Sequence, residues 1–267
     1  MKHVTALIGT ARRKHTHDAV ATFLRHLEAF GDVTSEVVML SDYHIESCCG
    51  CKLCFEKGED ACPYKDDRDA LVEKMTASDG IVLATPSYMF QVSGTMKTLI
   101  DRLSYIAHRP RFFGKSFTNI VTQGLPMESK IGKYLNLVGS CWGYSPVPGT
   151  RITALEPMTD GEVAKADAAL LRHSQRFHHS LFQVRNPVPS MVMLMGFRIG
   201  RTTMKWELDE RSCDYLYFKE RGWFDAAYYY PTRLGPVKRL VGSLTDGITA
   251  RMAKKRGQLV KKQKPRS

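Results

Sequence analysis

The chain has 267 residues, 43% of them hydrophobic, enough to bury a sizeable core. Its formal net charge of +12 is uneven: residues 232–267 hold eleven Lys or Arg against the single acid Asp246, a balance of +10, which leaves 12 − 10 = +2 for the rest. The basic character therefore belongs to a C-terminal appendage and says nothing about the main domain. The opening residues MKHVTALIGTARRKH lack the pattern of a secretory signal. The longest apolar run, 188–197, falls far short of the ~20 residues needed to cross a bilayer. A cytoplasmic protein with reduced thiols is expected.

In chain order, residues 3–8 (HVTALI) form a buried strand, followed by the polar loop 9–16 and a helix near 17–30. A strand near 34–40 leads into a cysteine loop over 43–66, cysteine-rich over 46–66, and then a helix near 67–77. Strand 80–85, helix 93–106, strand 117–122, helix 129–141, strand 148–155 and helix 160–183 complete an alternating pattern. Short apolar strands alternating with helices predict a parallel sheet with right-handed crossovers. The expected fold is a flavodoxin-like, doubly wound α/β domain with a five-stranded parallel sheet over 1–185. Residues 186–267 are expected to be a helical, aromatic-rich and basic C-terminal extension.

Loops at the carboxyl ends of the strands build the ligand site in such sheets. The first, Gly9–Thr16, combines hydroxyls, cations and a helix N-terminus, which suits a phosphate; a solvated basic loop is the alternative. It matches neither the Walker loop nor the G-x-G-x-x-G fingerprint. The second, Thr85–Gly94, has Pro86 to stiffen the turn, Tyr88 and Phe90 as stacking surface, and Ser93 as a helix N-cap. The third is Thr122-Gln123-Gly124.

Cys48, Cys51, Cys54 and Cys62 have the spacing C-x2-C-x2-C-x7-C. Such a run suits a 4Fe-4S cluster held by thiolates. Tetrahedral zinc and a metal-free loop remain alternatives, and Cys49 is interchangeable with Cys48 on spacing alone. Cys141 and Cys213 are isolated and read as structural.

The segments GTARRKHTH, TPSYMFQVSGTMKTLIDRL and VTQG, in this order, resemble the NADPH-dependent FMN reductase branch of the flavodoxin-like fold. With the four cysteines and Lys65-Asp66-Asp67, the chain resembles the iron–sulfur flavoproteins over residues 1–185. The loop departs from the family pattern at Ala11, His15 and His17. The resemblance implies noncovalent FMN, with Thr10, Arg12, Arg13, Thr16 and His17 at the phosphate. It places Pro86, Ser87, Tyr88, Met89 and Phe90, with Thr122, Gln123 and Gly124, at the isoalloxazine. It implies Cys48, Cys51, Cys54 and Cys62 as ligands of a 4Fe-4S cluster. The expected activity is an FMN-dependent NAD(P)H oxidoreductase with an unidentified acceptor and no protein acid or base. A ferredoxin-linked electron carrier and a cluster-free flavin or quinone reductase are the alternatives.

A homodimer or homotetramer is expected. His173, His178 and His179 are expected on a solvated helix face. The Met stripe at 191, 193 and 195 is expected in a core or subunit contact. Aromatics 215–230 are candidates for capping the flavin pocket. The amphipathic basic stretch 236–262 suits a peripheral membrane or acidic-partner contact, with no specific nucleic acid.

Overall fold

The computed structural model describes residues 1–125, 130–183 and 186–263. They form two compact units, one of Met1–Gly50 with Tyr64–Arg185, the other of Cys51–Pro63 with Asn186–Ser267. The expected division gave the whole cysteine loop to the first domain; the compact units divide that loop between them.

In the first unit, β1 (Lys2–Ile8), α1 (His15–Glu28), β2 (Val33–Met39), α3 (Arg68–Ala77) and β3 (Gly80–Pro86) are followed by α4 (Gly94–Arg102) and α5 (Ser104–His108). Then come β4 (Ser116–Gln123), α6 (Ile131–Trp142), β5 (Ser145–Pro146), β6 (Thr150–Thr153) and α7 (Asp160–Phe182). The strand order is β2-β1-β3-β4, with β5 and β6 both on β4 and every pairing parallel. This is the flavodoxin-like order, whose switch point lies between β1 and β3.

Strands β3 and β4 are buried along their whole length, as expected of parallel strands covered on both faces. On one face, Val4, Ala6, Ile8, Val82, Ala84 and Ile120 pack with Val20, Phe23 and Leu27 of α1 and Phe177 and Leu181 of α7. Residues of opposite parity, including Leu7, Leu83, Phe117 and Val121, are equally buried. Phe117 lies under Gly139 of α6, where any added Cβ would collide with its ring at 2.7 Å.

The single fifth strand expected at 148–155 is two short strands. Pro148 has no amide to donate, and Gly149 passes so close to Asn119 that an added Cβ would sit 2.2 Å from its carbonyl oxygen. The helix expected at 93–106 is broken at Leu103 into α4 and α5. The start of the helix expected at 129 lies outside the described residues, and α6 is described from Ile131. Helix α7 opens with a capping box between Thr159 and Glu162.

Two of the three α7 histidines depart from the solvated face expected of them, while His179 is exposed. His173 is fully buried, tilted against Phe23 at 4.6 Å, with Nε2 2.6 Å from the Thr118 hydroxyl. Thr118 donates its own proton to the Val147 carbonyl, so His173 must donate through Nε2–H, which leaves Nδ1 bare and buried. Burial pushes its pKa down to about 3, with the Arg176 charge adding to the shift. His178 stacks on Phe30 and reaches Asp32 at 2.8 Å.

The second unit contains α2 (Leu53–Glu56), α8 (Met191–Glu207), α9 (Cys213–Glu220) and α10 (Pro236–Gln263). Its core is aromatic: Phe197, Phe218, Trp223 and Tyr228 are buried, and Tyr229 meets Phe197 at 4.5 Å and Trp223 at 4.8 Å. The run 215–230 therefore supplies this unit's own interior. Helix α8 buries Leu194, Phe197 and Met204, whereas Met195 is exposed. No described helix is long and apolar enough to cross a membrane.

Candidate functional site

The ends of β1, β3 and β4 deliver their loops to one place, and side chains lace the loops together. Gly9 closes β1 so tightly against α4 that a Cβ there would lie 2.7 Å from Met96 Cβ. The Ser93 hydroxyl donates to the Gly9 carbonyl and accepts from the Met96 amide, capping α4 as expected. The Ser93 amide donates to Thr85 Oγ1 at 3.0 Å. The Ser87 amide donates to the Thr122 carbonyl at 2.7 Å, and the Thr16 and Thr122 hydroxyls meet at 2.6 Å. These cross-links fix the floor of a cleft before any ligand arrives.

The cleft has a volume of about 230 Å³ and is lined by Thr10, Arg12, Lys14, His15 and Thr16 from the first loop. Pro86, Ser87 and Tyr88 line it from the second loop, Thr122, Gln123 and Gly124 from the third, and Ala154 and Glu156 from the loop after β6. Its electrostatic centre is the start of α1. The N-cap Lys14 makes no side-chain cap, so the first helical amides are left for a ligand. Arg12 and Lys14 add cationic groups to the partial positive charge of the helix end, and His15 adds a ring nitrogen.

Nine of the expected cofactor contacts line this cleft: Thr10, Arg12, Thr16, Pro86, Ser87, Tyr88, Thr122, Gln123 and Gly124. Four do not. Arg13 turns to Asp42 at 3.5 Å and His17 lies beside Asp18 at 3.4 Å. Met89 and Phe90 form the tip of a tight turn in which Tyr88 and Gln91 exchange backbone hydrogen bonds of 3.0 Å. Their φ values, 46° and 62°, are left-handed, the geometry of a primed hairpin turn usually given to Asn or Gly. Both side chains project into solvent.

Lys14 and His15 belong to the expected phosphate loop but are not among its named contacts, and Ala154 and Glu156 are not singled out by the sequence at all. Glu156 lies 3.0 Å from His15 Nε2 and 3.4 Å from Lys14 Nζ. The Lys14 hydrogen bond, then its charge and that of His15, hold the Glu156 carboxyl below its ordinary range. A carboxylate thus stands at the rim of an otherwise cationic site. The one signal for it was its place just after the last strand of the sheet.

The cleft fits a phosphorylated aromatic ligand. Uncapped helix amides and cations share its lining with the exposed Tyr88 ring and with Thr122, Gln123 and Gly124. The cysteines behave differently. Cys48, Cys49 and Cys51 are exposed, and Cys54 and Cys62 are half-buried. Among the described residues, no three His, Cys, Asp or Glu side chains are grouped to hold a metal. The donor chemistry of the four thiols suits iron, but their arrangement is not a closed coordination shell.

What is well built is the anchor of the loop. Arg102, buried, donates from Nη1 to the Glu46 carbonyl at 2.9 Å and from Nη2 to Asp66 Oδ1 at 3.0 Å. The amides of Glu46 and Arg68 also donate to Asp66, and the His44 amide to Asp67. Burial alone would raise the Asp66 carboxyl, but the Arg102 hydrogen bond and the two amides outweigh it and hold it below its ordinary value. Tyr64 lies under the Arg102 guanidinium at 5.2 Å, and its hydroxyl is pushed up by its hydrogen bond with Cys49. The two stems of the loop, around 44–46 and 64–68, are thereby tied.

Residues 2–134 match the NADPH-dependent FMN reductase family. An iron-sulfur flavoprotein of Archaeoglobus fulgidus is 38% identical over 125 residues, 46% of this chain and 56% of that protein. A second from the same organism is 31% identical over 158 residues, 58% of this chain and 75% of the relative. The aligned region thus spans little more than half the length of the first. Among solved structures, RosB with bound 8-demethyl-8-formylriboflavin-5'-phosphate superposes with a TM-score of 0.57 at 14% identity, covering 68% of this chain and 79% of that one. An NAD(P)H:quinone oxidoreductase from Methanothermobacter marburgensis gives 0.50 at 16% identity, covering 65% and 98%. These superpositions establish the flavodoxin-like fold. The family match over 2–134 and the relatives' sequence identities lead to one assignment: the chain belongs to the iron–sulfur flavoprotein branch of the NADPH-dependent FMN reductase family.

Proposed function

We propose that the chain is an FMN-dependent NAD(P)H oxidoreductase that passes electrons to an acceptor still to be identified. The observation that carries this reading is the convergence of the uncapped α1 N-terminus, Arg12, Lys14 and His15 with Ser87, Tyr88 and Thr122–Gly124 on one cleft. Thr10, Arg12, Thr16, Lys14 and His15 would hold the phosphate through hydroxyls, charge and the α1 amides. Pro86, Ser87 and Tyr88, with Thr122, Gln123 and Gly124, would hold the ring. Bound FMN would supply hydride acceptance from a nicotinamide and onward transfer of electrons. The protein's own contribution is orientation. The Thr16–Thr122 and Ser87–Thr122 hydrogen bonds fix the ring-side loop against the phosphate-side loop, so the bound group meets prepared donors. No side chain is assigned a proton-transfer role.

The names of the relatives and the four thiols support a 4Fe-4S cluster on Cys48, Cys51, Cys54 and Cys62, formed when the loop closes on metal.

FMN titration should quench the flavin fluorescence at a one-to-one stoichiometry, and the complex should oxidise NADPH or NADH with an added quinone or flavin acceptor. Unchanged free-flavin fluorescence would remove the proposal. For the thiols, anaerobic Cys54→Ser protein should lose bound iron and sulfide while keeping FMN. Wild-type protein purified and reconstituted anaerobically without iron would leave a cluster-free reductase.

A further inference from the structure

Helix α10 is packed inside out. The residues it buries are small or polar: Gly242, Thr245 and Ala253, with Asp246 half-buried beside them. The residues it shows to solvent are large and apolar: Val237 is 66% exposed, Leu240 62%, Leu244 57%, Ile248 58% and Met252 67%. Their spacing of three or four residues sets them along one stripe of the helix.

The inversion is fixed by what lies beneath. Helices α8 and α10 run parallel, since Lys238 reaches the Pro189 carbonyl, Asp246 meets Arg198 and Arg201, and Arg256 meets Glu207. Asp246 receives Arg198 and Arg201 at 2.6 Å each and the Thr202 hydroxyl at 3.0 Å. The Arg198 guanidinium fills the space beside Gly242, where an added Cβ would lie 3.2 Å from Nε. A half-turn rotation of α10 would bury the leucines but withdraw the carboxylate from two nine-tenths-buried arginines. The ion pair holds the stripe outward.

Charge identifies what could cover that stripe. Helix α10 carries Lys238, Arg239, Arg251, Lys254, Lys255, Arg256, Lys261 and Lys262, and its one acid is already bound to α8. A second copy of the same face would bring like charges together, and nucleic acid would leave five large aliphatic side chains in water. A surface that is both apolar and anionic satisfies both features. We propose that the outer face of α10 docks on an anionic lipid surface, with Val237, Leu240, Leu244, Ile248 and Met252 entering the acyl boundary and the basic side chains facing headgroups. Trp206 on α8, half-exposed beneath Lys254 at 4.6 Å, has the amphipathic character favoured at such a boundary. This inference is independent of the flavin reading.

The test is co-sedimentation of the full chain with vesicles of phosphatidylcholine alone and of phosphatidylcholine with 30 mol% phosphatidylglycerol, alongside light scattering without lipid. The wild type should bind the anionic vesicles at least about tenfold more tightly than the neutral ones and lose most of that binding in 1 M salt. The triple variant Leu240→Ser, Leu244→Ser, Ile248→Ser alters only exposed positions, and should weaken anionic-vesicle binding by about tenfold while circular dichroism stays unchanged. Equal binding by wild type and variant would overturn the proposal in favour of simple charge adsorption. No vesicle binding at all would also overturn it, and a dimer dispersed by the triple variant would assign the face to a second copy.

Discussion

The two units solve the same packing problem in opposite ways. In the first, the sheet and α1 put most of their large side chains inside, and the exposed apolar residues beside the cleft, Met89, Phe90, Leu125 and Leu155, sit on loops. In the second, α10 hides small residues around a buried charge and displays its aliphatic side chains. Each unit also contains an arginine–aspartate pair, but for different ends. Arg102–Asp66 ties the stems of a loop, whereas Arg198 and Arg201 on Asp246 choose which face of a helix points outward. Position within the fold, more than the pair itself, decides what a buried ion pair does.

The largest expected effect tests the first of these pairs. Asp66→Ala leaves the buried Arg102 guanidinium without its carboxylate, and should cost about 3–5 kcal/mol in urea unfolding. It should also loosen the loop stems, seen as faster amide exchange at Glu46 and Arg68. A loss under 1 kcal/mol would show that solvent reaches Arg102 and that the stems are tied by other contacts.

A pH-dependent effect, comparable over its whole window, belongs to His173. Its folded pKa, about 3, lies below the ordinary value of about 6.5. The unfolded chain therefore binds the proton first, and the stability contributed by neutral His173 is complete above about pH 6.5. Between pH 6.5 and 3 it falls by about 1.4 kcal/mol per unit. His173→Phe should flatten the fall of the urea midpoint over that window, and parallel curves for variant and wild type would reject the assignment.

The smallest effect concerns the cleft rim. Glu156→Gln removes an anion that competes for Lys14 and His15, and should tighten FMN binding by roughly threefold at low salt, with less effect at high salt. Weaker binding would mean that Glu156 organises those cations.

Much of the first unit was legible because its strands are continuous apolar runs and its ligand loops are polar interruptions at their ends. Ser93 and Thr159 carried their caps in plain view. The split of the last strand was less visible, since the collision at Gly149 depends on Asn119, thirty residues away. His173 was misplaced although a signal existed: Leu170, Phe177 and Leu181 share its helical stripe, and a histidine among them belongs inside. Glu156 could not be singled out, because an isolated acid in a loop carries no periodicity. In α10 the spacing located the apolar stripe but not its direction, which depends on Arg198 and Arg201 in another helix.

The tie between Arg102 and Asp66 bears on how the thiol loop is maintained. Its two feet are clamped by protein groups alone, so emptying or damaging whatever the sulfurs carry would not release them. The stretch between, Cys51–Pro63, packs within the second unit, with Gly58 beside Cys213, so its place too is set by protein contacts and not by a group on the thiols.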